Sequence, residues 1–133
     1  MTFRQNILAN IKTTLEAVAS IQKVEVNKAT AVDLDTIPFP SAFVYSGEEV
    51  PITGPFGFLA WKWTIVIEFW SKEDTEDLLG VVHTAMAADE TRGGFAVDCN
   101  RISSDFYVVD SDNDVKGLVV KYEIQYRHPV ATL

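Results

Sequence analysis

The stretch FLAWKWTIVIEFW (Phe58–Trp70) alternates in the way an extended strand requires. Successive side chains of a strand point to opposite faces. Trp61, Trp63, Ile65, Ile67 and Phe69 therefore share one face, and Lys62, Thr64 and Glu68 share the other. Val66 and Trp70 break the polar face. One face is thus core, and part of the other wants a cover. Val66 and Trp70 are candidate subunit contacts, or the floor beneath a loop folded back from the same chain.

Immediately before this strand lies SGEEVPITGPFGF (Ser46–Phe58), with two prolines and three glycines. That punctuation predicts a loop. Loops usually shed large apolar residues, yet this one keeps Val50, Ile52, Phe56 and Phe58 beside Glu48 and Glu49. Those six residues are the candidate partner-binding loop. Upstream, SAFVYS (Ser41–Ser46) is a short apolar run between breakers and predicts a strand. Val24 and Val26 alternate with polar residues and fit a further short strand.

Two segments carry helical spacing. Phe3, Ile7, Leu8, Ile11, Leu15 and Val18 recur every three or four residues, with Thr2 and Gln5 placed for a capping box. The second helix is predicted over Ser71–Gly94, capped by Ser71. Leu78, Leu79, Val82, Ala85 and Met86 form its buried stripe, and Arg92 sits in its last turn before Gly93 and Gly94. Gly80 within it points to close approach of another backbone. After the helix, FAVDCNRI and DFYVVDS read as one long strand or two short ones around Ser103 and Ser104. KGLVVKYEIQYRH alternates cleanly, and DSDND joins it to the preceding strand as a hairpin. The order predicts an α+β domain over residues 1–133, with two helices packed on one face of a largely antiparallel, twisted sheet.

With 133 residues, 47% hydrophobic content and a net charge of −8, the chain can bury a core of its own and is poorly suited to capture nucleic acid. No apolar run approaches the ~20 residues that cross a bilayer. The N-terminus lacks the pattern of a signal peptide, so a soluble intracellular protein is expected. Cys99 is the lone cysteine, which excludes an internal disulfide.

Candidate chemistry is sparse. DSDNDVKG (Asp110–Gly117) begins like a calcium loop, but Val115 occupies the glycine position and Lys121 the closing glutamate position. His83 and His128 lack the companions of a zinc site. His83 with Cys99 could form a base and nucleophile pair, but nothing local supports it. GPFGF lacks the Lys and Ser or Thr of a phosphate-binding loop. No enzyme, cofactor or metal is expected.

RQNILANIKTTLEAV, FPSAFVYSGEE, WKWTIVIEFW, TEDLLGVVHTAMAADETRGG and YEIQYRH, in that order, resemble the small tail terminator and tail completion proteins of long-tailed phages, of the minor tail protein U type. The resemblance implies a homo-oligomeric ring, six-fold in this family, on the head-proximal end of the tail tube in the virion. Before that, the chain would lie in the host cytoplasm. Its partners would be other copies of itself, the tail tube protein and head–tail connector proteins. DNA would only pass through the bore, whose acidic lining would repel it, and no membrane would be involved. A head–tail connector of similar fold is the structural alternative. A small-ligand-binding domain, with a pocket lined by the aromatic-rich sheet, is the alternative of another class.

Overall fold

The aromatic strand stands at the centre of the sheet in the computed structural model, which describes residues 2–28, 37–52 and 58–129. The elements run α1 (Phe3–Glu16), β1 (Lys23–Val26), β2 (Ser41–Ile52), β3 (Phe58–Ser71), α2 (Thr75–Ala87), β4 (Asp98–Asp110) and β5 (Val115–Pro129). The five strands lie in the order β1-β2-β3-β5-β4. β1 is parallel to β2, and every other neighbour pair is antiparallel. The architecture is α+β with a mostly antiparallel sheet, as the sequence predicts.

The alternation of β3 sets the core. Trp63, Ile65, Ile67 and Phe69 are fully buried and pair across the sheet with Ile124, Tyr122, Val120 and Leu118 of β5. Ala42 and Val44 of β2 continue this layer opposite Phe69 and Ile67. The two helices close over it. Ile7, Ile11 and Leu15 of α1, and Leu78, Val82 and Met86 of α2, enter the same cluster. Each such side chain contributes roughly 1.5–3 kcal/mol by leaving water.

Capping explains the helix limits. The Thr2 hydroxyl accepts from the Gln5 amide at 3.1 Å, and the Gln5 side chain accepts from the Thr2 amide at 2.8 Å. α2 starts later than the sequence predicts. Its cap is Asp74, which accepts from the Glu76 amide at 2.9 Å, whereas Ser71 is the buried last residue of β3. A longer β3 claims Ser71 through its pairing with Lys116. α2 also ends sooner, with Ala88 as its C-cap. Arg92 lies beyond it at φ +48° and reaches back, donating from Nη2 to the Met86 carbonyl at 2.7 Å and from Nε to the Asp89 carbonyl at 2.6 Å. The expected close approach at Gly80 is absent: a Cβ there would meet nothing within 4 Å.

β4 is one strand with a bulge between Arg101 and Ser103, which resolves the two readings of that segment. It turns into β5 at Ser111–Asp114. The Asp110 carboxylate accepts from the Asp112 amide at 3.1 Å and from Asn113 Nδ2 at 2.7 Å, so these acids build a hairpin turn.

Candidate interaction surfaces

Most of the residues expected to form a loop at 46–58 are strand. β2 runs through Ile52 and pairs with β3 down to Ala60. Prolines and glycines predicted irregular backbone, but β3 extends far enough to supply partners, and a register shift between Ser46 and Glu49 absorbs the mismatch. β1 pairs with β2 only over Ser41–Val44, so Pro51 sits where a missing N–H costs no ladder bond on that side among the described residues. Gly47 is required by the bulge, because a Cβ there would lie 2.7 Å from the Thr64 carbonyl oxygen. The result is a three-stranded arm, β2–β3–β5, that extends past β1 with β2 on its outer side.

The six candidate residues of that segment have different surroundings. Glu48 is exposed. Glu49 lies opposite Trp63 and turns toward the helix layer. Its Oε2 pairs with Arg4 Nη1 at 3.0 Å, and its Oε1 accepts from the Tyr126 hydroxyl. The Arg4 guanidinium stacks 4.4 Å from the Trp63 ring centroid. Tyr126 meets Trp63 edge-on at 6.1 Å. Burial, and then the bond to Glu49, push the Tyr126 hydroxyl well above the ordinary phenol range. Glu49 therefore ties this end of β2 to α1 and, across β3, to β5. Val50 is 40% exposed opposite Lys62, and Ile52 is half-buried opposite Ala60. Phe56 lies outside the described residues, and Phe58 opens β3 in register with Pro129.

Val66 and Trp70 share the sheet face that carries no helix. Val66 is half-buried between Tyr45 and Lys121 in register. Trp70 meets Phe43 edge-on at 5.1 Å, and its Nε1 donates to the Tyr107 hydroxyl at 3.0 Å. Phe43 is buried although it points away from the helices. This face thus has its own small aromatic cluster. Burial and the neighbouring Glu68 raise the Tyr107 hydroxyl above its ordinary range.

Cys99 is buried, and burial pushes its thiol up to about 11, so it stays protonated at neutral pH. The His83 Nδ1 is buried with no hydrogen-bond partner among the described residues.

Residues that the sequence reading did not single out lie on β4, an edge strand. Ile102, Phe106 and Val108 are 51%, 45% and 66% exposed. FYVV (Phe106–Val109) is apolar at consecutive positions, so both of its faces are apolar. That lack of alternation was the available signal.

No family model matches the chain, and no curated protein sequence matches it. Among solved structures, it is similar to a chain from the virion of a native gene transfer agent particle, with a TM-score of 0.52 at 10% identity. The match covers 96% of this chain and 98% of that one. At that identity the likeness is one of fold.

Proposed function

We propose that this chain is a structural subunit of a phage-like particle. More narrowly, it caps the polymerised tail tube as a ring of six, ends tail growth and presents a head-joining face. The observation that carries the broader reading is the fold shared with a virion chain over nearly the whole length of both. The narrower reading rests on the resemblance to tail terminators and on the outer strand β2 of the β2–β3–β5 arm, which offers exposed Val50 and Glu48. The role is structural rather than catalytic, in keeping with the protonated Cys99. A ligand-binding domain has less support, because Trp63 is packed between Arg4 and Tyr126 and is fully buried.

Electron microscopy of tail tubes assembled with and without the chain tests this. The expected result is tubes of regulated length with a ring at one end. Tubes of unchanged length with bare ends overturn the capping role, and binding to a portal ring instead would favour the connector reading. Val50→Glu should abolish capping without loss of fold, since Lys62 lies opposite in register and balances the new charge.

A further inference from the structure

We propose that the two edges of the sheet are complementary docking surfaces for further copies of this chain, the β1 edge of one copy pairing antiparallel with the β4 edge of the next. The proposal deepens the ring reading and rests on it for its setting, but its basis is the sheet itself.

Among the described residues β1 pairs only with β2, and β4 only with β5. Open edges present unpaired N–H and C=O groups, and proteins usually blunt them with short strands or charge. β1 follows that rule, being four residues long. β4 is not short: it spans 13 residues, and beside its acids it exposes Ile102, Phe106 and Val108.

The charges on the two edges are opposite. At β1, Lys23 and Lys28 lie 3.0 and 3.9 Å from Glu25. Lys12 adds to the field on the same carboxylate. Among the described residues, Lys12, Lys23 and Lys28 outnumber Glu16 and Glu25 here, which leaves this edge with a small positive excess in a chain whose net charge is −8. On β4, Asp98, Asp105 and Asp110 stand against Arg101, and Asp112 follows in the turn, which leaves that edge negative. Two β4 edges brought together would set acid against acid. β4 against β1 sets opposite signs together.

Strand direction agrees. β1, β2 and β5 run one way, and β3 and β4 run the other. Rotation about an axis along the strands preserves their sense. It places β4 of one copy antiparallel to β1 of the next and keeps all helices on the same side. Each copy then has two different edges, the heterologous arrangement that closes into rings.

Two charge-reversed proteins test the pairing. Asp105→Lys with Asp112→Lys makes both edges positive, and Lys23→Glu with Lys28→Glu makes both negative. Circular dichroism and thermal melting first establish that each is folded. Sedimentation velocity over a concentration series, at low and high salt, then reads association. The wild type should associate, and less so in high salt. Each variant alone should associate at least about tenfold more weakly, and an equimolar mixture should recover by alternation. Phe106→Lys should weaken association without disturbing the fold. A wild type that stays monomeric throughout, a single variant that assembles like wild type, or a mixture that fails to recover overturns the pairing. Ring-capped tubes in micrographs alongside any of those results would leave the capping role standing with a different subunit contact.

Discussion

Trp70 Nε1 donates to the Tyr107 hydroxyl at 3.0 Å, joining β3 to β4 across the intervening strand β5. The residue between them in register is Gly117. A Cβ on Gly117 would lie 2.2 Å from Cζ of the Tyr107 ring, so the bond exists because that position has no side chain. An aromatic ring laid over a strand glycine restores the burial the glycine lacks.

Gly117→Ala should therefore displace Tyr107 and destabilise the fold by about 1–3 kcal/mol, as overpacking does. Tryptophan emission should shift as Trp70 loses its partner. Gly80→Ala is the contrasting substitution. The site is open and helical, and thermal melting should show a gain of about 0.5–1 kcal/mol.

Glu49 serves Arg4 and Tyr126 through its two oxygens. Glu49→Gln retains an acceptor for Tyr126 and loses the charge facing Arg4, so it should cost less than Glu49→Ala. The latter should cost about 1–2 kcal/mol in urea unfolding. Arg4→Ala should cost about 0.5–1 kcal/mol, since Arg4 is partly exposed and contributes mainly through its stack on Trp63. A double-mutant cycle on Arg4 and Glu49 should return a non-zero coupling. Equal costs for Glu49→Gln and Glu49→Ala would contradict a role for the Tyr126 bond.

Arg92 is fully buried, and its guanidinium binds the Met86 carbonyl in the last turn of α2 and the Asp89 carbonyl just past its end. Lysine carries the charge but not the planar fork. Arg92→Lys should cost about 1–3 kcal/mol in urea, with loss of helical signal confined to α2.

Alkaline stability should depend on Cys99 and Tyr122. Burial raises the thiol from an ordinary 9.0 to about 11 and the phenol from 10.0 to about 12. The unfolded chain loses these protons first. Stability is therefore complete below about pH 9 and falls as pH climbs through 11 and then 12. The Tyr122 hydroxyl is buried without a hydrogen-bond partner among the described residues. Tyr122→Phe should be neutral or stabilising at pH 7 and should flatten the decline between pH 10 and 12. Urea midpoints across that range check both, and an unchanged alkaline slope would remove Tyr122 as a cause.

The sequence alone determined β3, the core faces of β3 and β5, the α1 cap and the α+β class. Each rests on a periodicity or a spacing of a few residues, which the chain carries locally. The acidic turn at Asp110–Asp114 was legible for the same reason. Tertiary structure decided the rest. Ser46–Ile52 reads as a loop from its own residues and becomes strand because β3 offers it partners. Trp70 meets Tyr107 through a glycine on a third strand, 37 residues apart in sequence. Glu49 meets Arg4 and Tyr126 at separations of 45 and 77 residues. Such pairs have no local pattern, because their geometry exists only once the sheet order β1-β2-β3-β5-β4 has formed. The same order decided that a strand with apolar residues on both faces would stand at an edge rather than in the middle.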